Sequence, residues 1–254
     1  MLETILDATR ARLPDVRQQR SGYQAAVAAM PRALDFAVAL SAPGLSVIAE
    51  IKRRSPSAGA ISLDIDPPRQ ATEYVAGGAS AISVLTEPDF FGGSLEDLAA
   101  VRAAVDVPIL RKDFVIDEAQ IWQARAYGAD AILLIVAALT TDELRHLLEV
   151  ADSAGVAALV EVHTASEAET AAAVGASVVG VNNRDLKTFV TDLATAETLY
   201  PLVAGAQVKV GESGVSDPIG AARMRSAGYD AILVGEALVR AADPAALVAE
   251  LRSA

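Results

Sequence analysis

The stretch that decides the fold is Gly128-Ala-Asp-Ala-Ile-Leu-Leu-Ile-Val136, in which a glycine precedes a short apolar run. Glycine suits the left-handed backbone position at which a helix stops. The run that follows is dense in Ala, Ile, Leu and Val, which is typical of a strand buried on both faces of a parallel sheet. We therefore interpret the stretch as a joint between a helix and a strand.

The same joint recurs along the chain, at Gly78-Ala-Ser80, Gly155-Val-Ala157, Gly175-Ala-Ser177 and Gly228-Tyr-Asp230. Amphipathic stretches of helical spacing, such as residues 141–152, separate the apolar runs. The runs begin near Val47, Ser80, Pro108, Asp130, Ala157, Ser177, Gln207 and Asp230. These starts lie roughly 20 to 33 residues apart, a length that suits one strand followed by one helix.

This repeat predicts an α/β protein with the (β/α)₈ TIM-barrel fold, because about eight units fit between Val47 and Leu251. The competing layout is the doubly wound open sheet, which usually carries a glycine-rich phosphate fingerprint after its first strand. Here the first run leads into Lys52-Arg-Arg-Ser-Pro-Ser-Ala-Gly59, which contains no such fingerprint. We therefore expect one barrel domain over residues 1–254, with the barrel itself at 47–254.

Residues 1–46 fall outside the repeat and form the second part of this prediction. Residues 2–13 and 23–40 have helical patterns, with Pro14, Pro31 and Pro43 as breaks between segments. So few residues cannot bury a core of their own. We therefore expect an N-terminal helical extension over residues 1–46 that packs on one end of the barrel.

Composition excludes several classes of protein. The 254 residues include 21 Lys and Arg against 33 Asp and Glu, and the net charge of −12 disfavours nucleic acid as a partner. The absence of Cys excludes disulfides, Cys-ligated zinc and thiolate chemistry. The only histidines are His146 and His163, so no metal site is expected. Lysine is scarce, at positions 52, 112, 187 and 209, which suggests positions where an ammonium group is required.

The chain gives no sign of a membrane segment or a signal peptide. Its first residues, Met1-Leu-Glu-Thr-Ile-Leu-Asp7, lack a basic segment followed by a long apolar one. The longest apolar run, residues 131–139, is far shorter than the roughly 20 residues that cross a bilayer. We expect a cytoplasmic, soluble protein without a membrane partner.

Charged residues interrupt the apolar runs where the strands finish, which is the end of a barrel that carries its chemistry. Side chains alternate along a strand, so Glu50 and Lys52 share a face, and Lys112 is in phase with Leu110. Any one of them alone fits a satisfied ion pair at the rim. Several together near an apolar core are costly unless paired, and they predict a binding or catalytic mouth. The expected mouth residues are Glu50, Lys52, Lys112, Glu161, Asn182, Arg184 and Glu212.

The seventh and eighth runs end in glycine turns, at Gly214 and at Gly235-Glu236. The loops after these strands, with a helix N-terminus, commonly bind phosphate in barrels through backbone N–H groups. Ser55 and Arg184 would add a hydroxyl and a guanidinium group. Glu236 would contribute only its backbone N–H.

Other residues receive weaker interpretations. Phe90, Phe91 and Phe114 fall in mouth loops, where they are placed to stack on an aromatic substrate. Lys209 is expected to face the helices as a tether. His163 is interpreted as a loop residue rather than a base.

At these strand ends the sequence resembles the indole-3-glycerol-phosphate synthase family, over about residues 2–251. The motifs that carry the resemblance are Ile48-Ala-Glu-Ile-Lys-Arg-Arg-Ser-Pro-Ser-Ala-Gly59, Val84-Leu-Thr-Glu87, Phe90-Phe-Gly-Gly-Ser94, Pro108-Ile-Leu-Arg-Lys-Asp-Phe114, Leu133-Leu-Ile135, Leu159-Val-Glu-Val-His163, Gly180-Val-Asn-Asn-Arg-Asp-Leu186, Gly211-Glu-Ser-Gly214 and Leu233-Val-Gly-Glu236. The family has a helical extension over the barrel mouth, to which residues 1–46 correspond. Two small departures are Gly-Gly-Ser after the Phe pair, where many members have Asn-Gly-Ser, and Glu236, where some have Ser.

The resemblance implies a decarboxylating lyase of tryptophan biosynthesis, part of aromatic amino acid biosynthesis. The implied substrate is 1-(2-carboxyphenylamino)-1-deoxy-D-ribulose 5-phosphate, whose pyrrole ring closes with loss of CO₂ and water. It implies a phosphorylated small molecule as partner and neither cofactor nor metal. A net charge of −12 is compatible with this anion if positive charge is concentrated at the mouth.

The resemblance also implies roles for individual residues. Lys112 would be the general acid, and Lys52 would pair with the substrate carboxylate and assist dehydration. Glu161 would be a general base or a stabiliser of positive charge. Orientation of these groups would fall to Glu50, Asn182, Glu212 and Ser213. The phosphate site would comprise Ser55, Arg184, Gly214, Gly235 and Glu236, and the aromatic ring would contact Phe91, Phe114 and Leu133.

Alternatives remain open at this point. One is a Schiff-base aldolase on the same barrel, with Lys112 as nucleophile. Another is a non-catalytic barrel that binds a sugar phosphate. A phosphoribosyl isomerase barrel is less suitable, because it would need neither a carboxylate clamp nor the extension.

Overall fold

The computed structural model describes residues 1–185 and 188–254, so Leu186 and the lysine at position 187 lie outside the described residues. The strands form one closed parallel barrel in which neighbours follow chain order. We number the barrel strands β1 Ser46–Ile51, β2 Ala81–Leu85, β3 Ile109–Lys112, β4 Ala131–Ile135, β5 Ala157–Val162, β6 Val178–Asn182, β7 Val208–Glu212 and β8 Ala231–Val234. The barrel closes where β8 pairs with β1, from Ser46 opposite Ala231 to Ala49 opposite Val234.

Helices precede the barrel and alternate with its strands. They are α1 Leu2–Gln18, α2 Arg20–Ala28, α3 Phe36–Leu40, α4 Pro67–Ala76, α5 Pro88–Phe91, α6 Leu95–Ala104, α7 Glu118–Ala126, α8 Thr141–Ala154, α9 Ala165–Ala173, α10 Ala194–Val203, α11 Pro218–Ser226, α12 Glu236–Arg240 and α13 Pro244–Ser253. A 3₁₀ turn covers Val136–Ala138, and a small hairpin pairs Arg54–Ser55 with Gly59–Ala60. No helix within the described residues is long and apolar enough to span a membrane.

The predicted barrel is confirmed, and each strand begins within one residue of its predicted start. The joint at Gly128 has the expected backbone, with a φ of 97°. Its Asp130 side chain accepts the Ile109 N–H at 2.9 Å, and Asp230 accepts the Lys209 N–H at 2.8 Å. These two joints therefore also fix the start of the preceding strand.

Lys209 is a tether of a different kind from the one predicted. Its Nζ lies 2.8 Å from Asp230 Oδ2, just before β8, and 3.4 Å from the Ala206 carbonyl oxygen. Lys209 thus joins the starts of β7 and β8 at the end of the barrel opposite the mouth, and its ion pair is with a strand start and not with a helix.

The helices of the extension differ from the prediction. Pro14 lies inside α1, although a proline in a helix interior removes a hydrogen bond and was expected to end the helix. Burial of Ile5, Leu6 and Leu13 against the rest of the protein offsets that loss. The predicted break at Pro31 is confirmed, because α2 stops before it and α3 starts anew at the cap Asp35.

The extension contacts both ends of the barrel. Met1, Leu2 and Ile5 line the cavity at the carboxyl ends of the strands. Downstream, α1 and α2 pack along α7, and α3 contacts β1 and β2. Phe36 and Leu40 are buried in the same apolar cluster as the residues inside the barrel. So α3 closes the end opposite the mouth, while the division of the chain at residue 46 remains a prediction.

We expect Phe36→Ala to destabilise the protein by about 3–5 kcal/mol, because it leaves a cavity under the barrel interior. Val38→Ala is the matched control, since Val38 lies on the same helix and is 64% exposed. The free energy of unfolding in urea measures both. Equally small losses of stability in the two variants would contradict the role of α3, which is to close the end of the barrel opposite the mouth (the floor of the barrel).

Candidate active site

The carboxyl ends of the strands open into a cavity of about 460 Å³. Every residue predicted for the site lines it. These are Glu50, Lys52, Ser55, Phe91, Lys112, Phe114, Leu133, Glu161, Asn182, Arg184, Glu212, Ser213, Gly214, Gly235 and Glu236. Phe90 does not line the cavity, although it is the neighbour of Phe91. The tertiary structure therefore brings the predicted set to one place, whereas the role of each member stays a prediction.

The centre of the cavity is an ammonium group between two carboxylates. Lys112 Nζ lies 3.0 Å from Glu161 Oε2 and 2.9 Å from Glu212 Oε2. The three side chains come from β3, β5 and β7. Alternate strands of a barrel contribute side chains to one layer, which explains why residues far apart in sequence meet here.

Charges in this cluster hold one another in unusual protonation states. Burial acts to lower the pKa of Lys112, but Glu161, Glu212 and Glu50 outweigh it and raise that pKa. Burial acts to raise the pKa of Glu161, but Lys112 and His163 lower it overall. Burial raises the pKa of Glu212 to about 7, because the neighbouring Glu161 adds to it and Lys112 offsets only part. Lys112 is thus protonated at neutral pH, and Glu212 is the carboxyl group of the cluster that binds a proton most readily.

The Glu212 carboxyl is closely packed on one side. Its Oε1 is buried and has no hydrogen-bond partner among the residues that the structure describes. A Cβ atom added at Gly180 would lie 2.0 Å from this oxygen. Gly180 therefore leaves the space that the Glu212 carboxyl group occupies.

A second lysine lies at the end of β1. Lys52 Nζ is 2.5 Å from Glu50 Oε1. A Cβ atom at Gly235 would lie 2.5 Å from that same oxygen and 3.0 Å from Nζ. A side chain at this turn would displace the ion pair of Glu50 and Lys52, which lies directly against the Gly235 backbone.

Polar groups gather at another part of the cavity lining. Ser213 and Gly214 have φ values of 62° and 85°, which turn the chain sharply after β7. The Arg184 backbone N–H donates to Asn182 Oδ1 at 3.0 Å, and its guanidinium group donates to the Phe189 carbonyl at 3.3 Å. Ser55 lies in the small hairpin after β1. These residues provide a guanidinium, hydroxyls and turn backbone, which suits an oxyanion such as phosphate.

An apolar wall lines the rest of the cavity. The ring centroids of Phe91 and Phe114 are 6.1 Å apart, with the planes tilted by 38°. Leu133, Leu85 and Ile135 also line the cavity. Aromatic and branched side chains of this kind pack on a flat apolar group.

The family model described as indole-3-glycerol phosphate synthase matches residues 2–251. The chain belongs to the indole-3-glycerol phosphate synthase family. An indole-3-glycerol phosphate synthase of Streptomyces griseus subsp. griseus is 50% identical over all of this chain and 95% of its own length. The one from Rhodococcus jostii is 49% identical over the same shares of the two chains. The one from Kineococcus radiotolerans is 57% identical over 83% of this chain and 77% of its own length.

Two solved structures resemble the fold of this family member at low sequence identity. A 3-hexulose-6-phosphate synthase has a TM-score of 0.64 and 21% identity, covering 82% of this chain and 99% of that one. A thiamine phosphate pyrophosphorylase from Pyrococcus furiosus has a TM-score of 0.62 and 20% identity, covering 82% and 94%. At this identity the likeness shows the barrel fold alone.

Positive charge does lie at the mouth, but carboxylates accompany it among the described lining residues. The charged lining residues are Lys52, Lys112, Arg184 and Arg240, with Glu50, Asp113, Glu161, Glu212 and Glu236 as their counterparts. Both lysines are already paired with carboxylates, because uncompensated charge next to the apolar barrel interior is costly. Within residues 1–185 and 188–254, no group of three or more His, Asp or Glu is placed to hold a metal ion.

Sequence reasoning missed Arg240, and it placed His163 correctly in a loop but without its contact to Glu161. Arg240 lines the cavity and its Nε lies 2.9 Å from Glu236 Oε1, one helical turn away. His163 Nε2 lies 3.3 Å from Glu161 Oε1. The strand alternation in Val160-Glu-Val-His163 contains this signal, because residues 161 and 163 are in phase.

We expect Glu212→Gln to remove a fall in stability between about pH 4.5 and pH 7. The folded-state pKa of Glu212 is raised, so its proton stabilises the fold below the unfolded pKa, and this stability is lost as pH rises through the folded pKa. The loss amounts to about 3 kcal/mol at most, since one pKa unit corresponds to about 1.4 kcal/mol. Urea unfolding of both proteins across this range measures it, and parallel curves would contradict the protonation of Glu212.

Proposed function

We propose that this protein catalyses the decarboxylating ring closure of 1-(2-carboxyphenylamino)-1-deoxy-D-ribulose 5-phosphate to indole-3-glycerol phosphate, CO₂ and water, as a step of tryptophan biosynthesis. The observation that carries the proposal is Lys112, held protonated by Glu161 and Glu212 in a cavity that also contains oxyanion-binding groups and an aromatic wall. Full-length relatives that bear this name support it.

The substrate has two anionic ends, and the cavity offers a cation to each. We assign the phosphate to Ser55, Arg184 and the turns at Gly214, Gly235 and Glu236, with Glu236 acting through its backbone N–H. The carboxylate on the aromatic ring pairs with Lys52, and the ring itself lies against Phe91, Phe114 and Leu133. Anchoring both ends brings the ring carbon and the ribulose carbonyl together, which is an orientation effect.

Ring closure needs a proton at the carbonyl oxygen as the ring carbon attacks. We assign Lys112 as the general acid that supplies it. Its pairing with Glu161 and Glu212 keeps the proton on Nζ until the oxygen develops negative charge. Carbonyl attack produces that charge, so proton donation is driven by the reaction itself.

Loss of CO₂ and water completes the pyrrole ring. As the ring carbon bonds to the carbonyl carbon, positive charge develops on the ring and its nitrogen. The bond between the ring and the carboxylate then breaks, and its electron pair returns to the ring as CO₂ leaves. Of the two roles open to Glu161, stabilising this charge is favoured, because its lowered pKa makes it a weak base but a constant anion. Lys52 then assists departure of the hydroxyl group as water, and Glu50 beside it accepts the proton that the neighbouring ribulose carbon loses.

The remaining polar residues orient the reacting groups. Glu50 fixes Lys52 through their short contact. Glu212 helps to hold the Lys112 ammonium group in place through its Oε2. We assign Asn182 and Ser213 to the hydroxyl-bearing chain of the substrate, since both line the cavity.

A Schiff-base aldolase is disfavoured by the state of Lys112. Its nucleophile must be a neutral amine, which needs a lowered lysine pKa. The surrounding carboxylates raise the pKa of Lys112. Failure of borohydride to trap a substrate adduct on Lys112 is therefore the expected result.

The direct test is the growth of indole fluorescence when the protein is mixed with the carboxyphenylamino-ribulose phosphate. We expect Lys112→Arg to lower kcat by about 10²- to 10⁴-fold, because arginine keeps the charge but does not give up a proton. Lys209→Arg is the matched control, since Lys209 lies at the opposite end of the barrel. An unchanged kcat in the first variant would contradict the general-acid role, and no fluorescence with folded wild-type protein would contradict the function.

For the phosphate site, we expect Arg184→Ala to lower kcat/KM roughly 10- to 100-fold, mainly through KM, because a charged hydrogen bond is lost. Arg223→Ala is the control, since Arg223 pairs with Glu197 on the outer surface. The same measurement with the dephosphorylated substrate should show no difference between Arg184→Ala and the wild type. A difference there would place the Arg184 contact elsewhere on the substrate.

A further inference from the structure

The loop after β5 contains a nearly buried histidine between two carboxylates. The side chain of His163 is 8% exposed. Its Nδ1 lies 3.2 Å from Glu167 Oε2, and its Nε2 lies 3.3 Å from Glu161 Oε1. Nε2 and Glu161 Oε1 are thus at ion-pair distance, although Nε2 forms no aligned hydrogen bond with any described residue. The imidazole therefore bridges the start of α9 and the centre of the cavity.

Glu167 is held in place by the start of α9. The Thr164 hydroxyl oxygen accepts the Glu167 backbone N–H at 3.3 Å, as the cap of the helix. The Glu167 carboxylate in turn accepts the His163 backbone N–H at 2.7 Å. This oxygen, Oε2, is the same one that contacts Nδ1. The helix start thus fixes both the backbone and the ring of His163.

We propose that His163 is a positioning residue of the reaction, which holds Glu161 Oε1 while Glu167 holds the imidazole, so that Glu161 Oε2 faces Lys112. The role rests on the proposed function, in which Glu161 is the anion beside the reacting centre. His163 itself is outside the cavity lining, so it acts through Glu161 and does not touch the substrate.

Geometry gives each oxygen of Glu161 a separate cation. Oε2 is 3.0 Å from Lys112 Nζ, and Oε1 faces His163. With only one of these contacts, the carboxylate could rotate about its terminal bond and exchange its oxygens. Two opposed cations remove that freedom and keep the lysine on the cavity side.

The electrostatics agree with this geometry. Burial acts to lower the pKa of His163, but the contacts with Glu161 and Glu167 outweigh it and raise the pKa to about 10. These two carboxylates are the charged groups that face the ring, with Lys112 beyond Glu161. His163 in turn helps to lower the pKa of Glu161. Removing His163 therefore raises the pKa of Glu161, and its ionised form is lost at a higher pH.

The charge on His163 can be measured without substrate. With only two histidines in the chain, imidazole NMR signals can be assigned by comparison with His146→Gln. We expect His163 to remain protonated at pH 8, where an imidazole with the ordinary pKa of about 6.5 is neutral. Glu167→Gln keeps the backbone acceptor and removes the charge, so it should lower the pKa of His163. Glu169→Gln, an exposed position on the same helix, should leave it unchanged.

A His163 signal that titrates near the ordinary value in the wild type, or that ignores Glu167→Gln, would overturn the proposal.

Kinetics test the positioning role itself. We expect His163→Gln to lower kcat about 10-fold, as is typical when a partner that orients a functional group is lost, with KM changed far less. The acidic limb of the pH profile of kcat should move to higher pH, and Glu167→Gln should move it the same way. His146→Gln should reproduce the wild-type profile.

The outcomes separate this proposal from the function on which it rests. Wild-type turnover with an unaltered profile in both His163→Gln and Glu167→Gln would overturn the positioning role alone. No turnover by the wild type would contradict the proposed function and the positioning role together. If His163→Gln does not fold, the Glu167→Gln profile decides.

Discussion

The contact on which the mouth of this barrel depends is that of the Lys112 ammonium with the carboxylates of Glu161 and Glu212. All three side chains are almost fully removed from water. Each ion alone would cost several kcal/mol to bury, and removing one partner leaves another uncompensated. The cluster exists only because the barrel is closed, since β3, β5 and β7 must converge for it to form. The catalytic proposal and the barrel geometry therefore depend on the same contact.

This cluster continues outward as a row in which carboxyl groups alternate with cationic side chains. From the cavity to the outer helix the order is Glu212, Lys112, Glu161, His163 and Glu167. Lys112 and His163 each lie between two carboxyl groups, so neither cation is left unpaired next to apolar surroundings. The opposite end of the barrel is organised differently, by the apolar side chains of α3 and by aspartates that accept strand N–H groups. Chemistry and stability are thus separated along the barrel axis, as is general for this fold.

The extension shows where local pattern and tertiary packing disagree. Local rules end a helix at Pro14, yet α1 continues to Gln18, because its buried side chains contribute more than one lost hydrogen bond costs. The same packing carries the chain from the mouth, at Met1 and Ile5, to the floor, at Phe36. The periodicity of apolar residues predicts that a helix is amphipathic, but it does not predict which surface the apolar face will cover.

The sequence by itself determined the barrel, the strand starts and a set of residues that line one cavity. Buried strands are near-continuous apolar runs, and glycines mark the helix ends, so both are local signals. Strand alternation also identified the residues that would face inward, such as Glu50, Lys112 and Glu161. What only the tertiary structure decided is which charge pairs with which, because partners such as Lys112 and Glu212 lie far apart in sequence. For the same reason the balanced charge of the mouth became visible only when the closed barrel set the distances on which electrostatic energy depends.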